Sequence, residues 1–182
     1  MTIDAIDAEA AAAAEAYRQL LLTALGDDDP AEVQAQTPDL VQALIVEAGG
    51  LLRVAPEPSE WSVLECVAHI VDAELIISTR YRWIIAEDEP PIIGYDQALW
   101  VAKLAQVDDD PALLVEVFRA LRRWNIELWR RRPIEDRERI GRHSERGPES
   151  YGMTFKLAAG HDRIHLAQAR RALEAARAAS GS

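Results

Sequence analysis

His161 and His165 stand four residues apart in Gly160-His161-Asp162-Arg163-Ile164-His165, in a helix-forming stretch near the C-terminal end. Four residues is about one helical turn, so both imidazoles leave one face and can bind one ion together. Neutral imidazole is the commonest nitrogen ligand for zinc, nickel, copper and iron. A catalytic metal typically takes three protein ligands and keeps a position for water or substrate. The best third candidate is His69, mid-helix in Trp61-Ser62-Val63-Leu64-Glu65-Cys66-Val67-Ala68-His69. A lone His-x-x-x-His also describes two surface or capping histidines. His69 on an otherwise apolar helix strengthens the metal reading, and the two readings stand side by side on pattern alone.

The chain has four histidines. The remaining one, His143, lies in Gly141-Arg142-His143-Ser144-Glu145-Arg146-Gly147, read as loop. There it is either a substrate-contacting or acid/base group or, more plainly, a solvated loop residue. Arg142 and Arg146 beside it are candidates for gripping a carboxylate substrate. Arg130, Arg131 and Arg132 close a helix, where positive charge suits the dipole. Glu65 is a fourth ligand, a general base or, preferably, half of a capping box. Asp72 is placed to orient a ligand histidine. Cys66 offers a thiolate three residues before His69, but a small buried hydrophobe is the simpler reading. No glycine-rich phosphate loop is present, and spacing supports no Ser/His/Asp triad. A di-iron site needs Glu-x-x-His, and the Glu65 to His69 spacing is four.

These residues need helices to hold them. Asp4 to Leu25 is rich in alanine, glutamate and leucine and ends at Gly26. Thr37-Pro38 reads as N-cap and first residue of a second helix, weakened at Gly49-Gly50. Ser62-Val63-Leu64-Glu65 is a capping box opening a long helix to about Glu87, with Val63, Val67, Ile70, Glu74 and Ile77 on one side. Pro90-Pro91 ends it. Asp96 caps a short helix to about Gln106, and Asp110-Pro111 opens another to about Arg131, with Leu114, Phe118, Leu121 and Leu128 in its stripe. Residues 133–153 lack a period and read as loop. Thr154 caps the last helix, to about Ala178. Gly160 inside it costs about 1 kcal/mol relative to alanine, which points to a close neighbouring helix. The count is four long helices plus shorter pieces, with no convincing strand. Tryptophans 61, 83, 124 and 129 read as core or helix-packing residues.

The 182 residues suffice for one domain with a sizeable core. The net charge of −11 argues against nucleic acid and against anionic membrane surfaces. No apolar run reaches the roughly 20 residues that span a bilayer. The acidic N-terminus is no signal peptide, and one cysteine fits a reducing cytoplasm. The expected location is therefore cytoplasmic, with no membrane and no nucleic-acid partner.

At family level, Trp61-Ser62-x-x-Glu65-x-x-x-His69, with Asp72 and Glu74 following, resembles the second helix of the DinB-like superfamily. Glu87-Asp88-Glu89-Pro90 resembles its usual helix end, and His161-x-x-x-His165-x-x-Gln168 its last helix. The match covers about Gln36 to Ala178. The resemblance implies an all-α fold, a four-helix bundle in up-down-down-up order over residues 36–182. Residues 1–35 form an N-terminal helical extension. It implies a divalent metal (zinc, nickel, manganese or iron) on His69, His161 and His165, with no DNA binding. Members that act on small thiols, such as bacillithiol-dependent S-transferases and mycothiol-dependent maleylpyruvate isomerase, imply a low-molecular-weight thiol cofactor, a small-molecule substrate and a homodimer. The expected function is that of a metal-dependent hydrolase or thiol-dependent S-transferase, with His143, Arg142 and Arg146 at the substrate. A non-catalytic, stress-associated metal-binding bundle is the alternative, and a plain helical interaction module the third.

Overall fold

The computed structural model describes residues 3–104 and 108–180. Six α-helices run in order: α1 (Ile3–Leu25), α2 (Pro30–Ala48), α3 (Val63–Ala86), α4 (Gln97–Leu104), α5 (Pro111–Arg131) and α6 (Tyr151–Ser180). Three short strands lie between them: β1 (Pro91–Ile92), β2 (Ile140–His143) and β3 (Gly147–Ser150). The expected end of α4 near Gln106 lies outside the described residues.

Capping chemistry sets most helix starts. Ser62 and Glu65 form the full capping box of α3: Glu65 Oε2 accepts from the Ser62 backbone N–H at 2.7 Å, and Ser62 Oγ from that of Glu65 at 3.3 Å. Asp110 caps α5 ahead of Pro111. For α2 the expectation of a start at Thr37 is corrected. Asp29 is the cap, accepting from the N–H groups of Ala31 and Glu32, and Pro30 begins the helix. Pro38 lies inside it. The Asp29-Pro30 signal is as good a start as Thr37-Pro38 and comes first, so the helix nucleates there. In α6, Ser150 rather than Thr154 provides the cap, accepting from Met153 N–H at 3.1 Å.

The order of the bundle follows from side chains that join its helices. Gln34 meets the Phe155 carbonyl, Thr37 meets Asp162 and Glu47 meets Arg177, so α2 and α6 run parallel. Glu74 and Ser78 meet Asn125 and Arg122, and Tyr81 and Trp129 share one cluster, so α3 and α5 run parallel. Asp39 pairs with Arg119 while Arg53 donates to the Asp109 carbonyl, so α2 opposes α5. This is the up-down-down-up bundle, with apolar packing around Val67, Ile70, Phe118 and Leu173 at one end and a stacked Trp129–Phe155 pair at the other. Trp124 lies on the outside, 53% exposed, with the Arg82 guanidinium 3.6 Å over its ring. Trp83 is likewise exposed, so neither belongs to the core.

α1 lies beside the four bundle helices and packs along α6 through Leu21 and Leu25, both buried. A Cβ on Gly160 would stand 2.0 Å from the Leu21 carbonyl oxygen, so α1 approaches α6 where the sequence keeps its glycine.

Residues 133–153 correct the loop reading. A 3-10 turn (Ile134–Glu138) leads into the β2–β3 hairpin, and β1 joins β2 in parallel, with Ile92 opposite His143. The strands are too short to display a period. Gly141 lets β2 lie flat, since a Cβ there would come within 2.7 Å of Ile92 and 2.9 Å of Ile84.

Candidate metal centre

His69 projects from α3 at a register fixed by the capping box seven residues earlier, while His161 and His165 project from one face of α6. The three rings converge. His69 Nε2 and His161 Nε2 are 3.0 Å apart, and one ring nitrogen from each residue lies within 4.8 Å of the others. Two nitrogens 2.0–2.1 Å from one tetrahedral ion would sit roughly 3.3 Å apart, so the spacing suits a shared ion.

All three side chains are in the protonation state an ion requires. Burial pushes the His69 ring down to about 3, aided by the neighbouring His165. Burial, then His165 and His69, holds His161 well below the ordinary range. Burial also lowers His165, against the pull of Gln168 and Asp162. Neutral rings keep a lone pair for a cation. Gln168 Oε1 lies 2.9 Å from His165 Nδ1, where it accepts the ring N–H; that tautomer leaves Nε2 bare. Trp61 covers one side, its ring 5.1 Å from His69 and stacked at 6.1 Å on His165.

Asp162, between the two α6 histidines, anchors the helix. Arg122 of α5 donates to both its oxygens, at 2.6 and 3.1 Å, and Thr37 of α2 lies 2.8 Å away. The same guanidinium pairs with Glu74 of α3 at 2.9 Å, and Asn125 donates to Glu74 at 2.6 Å. One buried arginine thus joins α3, α5 and α6 and fixes the rotation of the helix that carries His161 and His165. Burial raises the Glu74 carboxyl, with Arg122 opposing. Sequence reading missed Arg122. The signal was available, because Glu74 is the single polar group on an apolar stripe and a buried carboxylate demands a partner.

Glu65 is engaged in its capping box. Cys66 is fully buried, its thiol pushed up to about 12, mainly by burial, and stays a neutral packing group. The polar partner of His165 is Gln168 rather than Asp72.

A cavity of about 860 Å³ adjoins His161, between α1, α3, α6 and the hairpin. His143 and Arg146 line it; Arg142 does not, its side chain being 62% exposed and ion-paired with Glu89. Arg146 is held by both oxygens of Glu149, at 2.6 and 3.0 Å. His143 sits on strand β2, not in a loop, and is buried.

The sequence profile of the DinB superfamily matches residues 13–169. The chain belongs to the DinB superfamily. A protein of Oceanobacillus iheyensis named "Putative metal-dependent hydrolase OB0782" is 29% identical over 107 residues, 59% of this chain and 62% of that one. A Bacillus cereus protein of the same description is 30% identical over 112 residues, 59% of this chain and 61% of its own length. The chain thus spans about three-fifths of the length of these curated relatives. Among solved structures, YfiT from Bacillus subtilis, described as a probable metal-dependent hydrolase with an unusual four-helix bundle topology, superposes with a TM-score of 0.71. It shares 20% identity over 83% of this chain and 86% of that one, a likeness of fold. The chain is a DinB-like bundle carrying a three-histidine centre suited to a metal ion, and among the described residues no helix is long and apolar enough to cross a membrane.

Proposed function

We propose that His69, His161 and His165 hold a divalent metal ion, and that the protein is a metal-dependent hydrolase or a thiol-dependent S-transferase acting on a small molecule in the adjoining cavity. The observation that carries this reading is three ring nitrogens within 4.8 Å of one another on buried histidines, one of which lines the cavity. A purely structural site closes its coordination with protein groups, and His161 opens instead onto space for a ligand. The names of the relatives, which speak of metal-dependent hydrolysis, support the hydrolytic branch.

When bound, the ion lowers the pKa of a water or thiol it carries, supplying a nucleophile at neutral pH. The chain's own residues do the rest. Gln168 holds the His165 tautomer, Arg122 and Asp162 hold the pitch of α6, and Trp61 keeps bulk water from one side of the rings. The cavity, walled by Ile77, Leu157 and Ala158, receives the substrate.

The test is elemental analysis of purified protein with no metal added, followed by assay with ester, amide and thiol–electrophile panels. Near one ion per chain is expected, with turnover abolished by chelation. A chain that binds no first-row divalent ion tighter than its His69→Ala variant sinks the reading.

A further inference from the structure

The cavity reaches from the histidine cluster to a second polar group. Arg80 follows His69 by eleven residues on α3, ~16 Å along the axis at 1.5 Å per residue. Ala73 and Ile77 line the same cavity in between. Arg80 is 7% exposed. Its Nη2 donates to the Ile93 carbonyl at 2.8 Å, while its Nε is buried with no hydrogen-bond partner. Among the described residues no carboxylate forms an ion pair with it.

His143 is the second half of the group. It is 3% exposed, and its Nδ1 accepts the backbone N–H of Glu145 at 3.1 Å and of Arg146 at 3.4 Å. Nε2 therefore carries the proton, and Nε2 is buried without a partner. Burial, together with Arg146 and Arg80, holds this ring down to about 4, so it is a neutral donor at pH 7.

Arg80 and His143 both line the cavity, and each keeps one buried donor atom without a hydrogen-bond partner, an arrangement rare in folded proteins. The charge balance says what fits. Arg146 is already matched by Glu149, whereas Arg80 forms no ion pair among the described residues and feels Glu149 and Glu145 only through space. Glu145 and Asp96 line the mouth, exposed, where solvent screens them. One unmatched positive charge beside a neutral donor suits a singly charged acceptor. The walls between the two ends are Leu21, Ala73, Ile77, Leu157 and Ala158, all apolar.

We propose that Arg80 and His143 form a carboxylate-binding subsite, and that the ligand is a monoanionic acid with an apolar body whose other end lies at His161. That the ligand is a substrate rests on the function proposed above; the subsite itself does not. Arg80 then sets specificity by charge, and α1, through Leu21, contributes a wall that selects for length.

The test is calorimetric titration of the full chain with octanoate, octanol and octyl phosphate, both as purified and after chelation. Octanoate is expected to bind in both states, and at least about tenfold more weakly in Arg80→Gln. Octanol should bind weakly and be indifferent to that change. Arg80→Lys, which keeps the charge, should fall between. His143→Phe should weaken octanoate severalfold, which keeps the test alive should Arg80→Gln fail to fold. Equal octanoate affinity in wild type, Arg80→Lys and His143→Phe overturns the subsite, as does tighter binding of octyl phosphate. Octanoate binding that vanishes on chelation places the carboxylate on the ion and overturns the subsite while leaving the metal reading intact. Arg80-dependent binding in a chain that takes up no metal does the reverse.

Discussion

Arg122 grips Asp162 with both terminal nitrogens, at 2.6 and 3.1 Å, in a place where neither residue meets solvent. Removing the arginine leaves two carboxylates, Asp162 and Glu74, buried without their cation. Breaking such a pair costs about 3–5 kcal/mol. Arg122→Met is therefore expected to lower stability by that order in urea denaturation, and to weaken metal binding by loosening α6. A midpoint within error of wild type would mean that the arginine anchors nothing.

Gly160→Ala separates propensity from packing. Alanine favours a helix interior by about 1 kcal/mol over glycine. Its Cβ, however, would stand 2.0 Å from the Leu21 carbonyl oxygen, a backbone atom with little freedom to retreat. The expected sign is destabilisation, by about 1–3 kcal/mol as in other overpacked sites, with α1 displaced. A higher melting temperature for the variant would disprove the close approach of the two helices.

Gln168→Ala tests the tautomer argument. Loss of an outer hydrogen bond on a ligand histidine typically costs 10–100-fold in metal affinity. Competition with a chromophoric chelator should show a loss of that order with the fold unchanged by circular dichroism. His69→Ala, by contrast, should take the metal content from near one per chain to near none.

His143 gives a pH dependence whose sign is fixed. In the unfolded chain its ring takes a proton near pH 6.5. In the fold, burial and the flanking arginines hold it down to about 4. Between those values the unfolded state binds the extra proton, so stability falls as pH falls through the window, by up to about 1.4 kcal/mol per unit for this residue. Below about 4 its contribution is flat. His143→Gln should reduce the slope between pH 6.5 and 4 by up to one proton, measured by chemical denaturation; an unchanged slope means the ring is solvated.

The sequence by itself determined what depends on near neighbours. A hydroxyl followed by glutamate three residues on opens α3, and that opening sets which way His69 faces. The four-residue spacing of His161 and His165 puts their rings on one face whatever surrounds them. Glycine at 160 announced a close neighbour but not that the neighbour was Leu21 of α1. Arg122, Arg80 and the β2–β3 hairpin were decided only by the tertiary structure. The arginines lie 40 residues from Asp162 and 63 from His143 in the chain, so no local period relates them, and each looks alone like an ordinary solvated charge. The strands pair four residues at most, too few to show an alternation in the sequence, and Gly141 of β2 lies close against Ile84 and Ile92, which are remote from it in the chain. Local rules place side chains on faces. Burial, which assigns each charge its partner or leaves it without one, exists only once the faces have met.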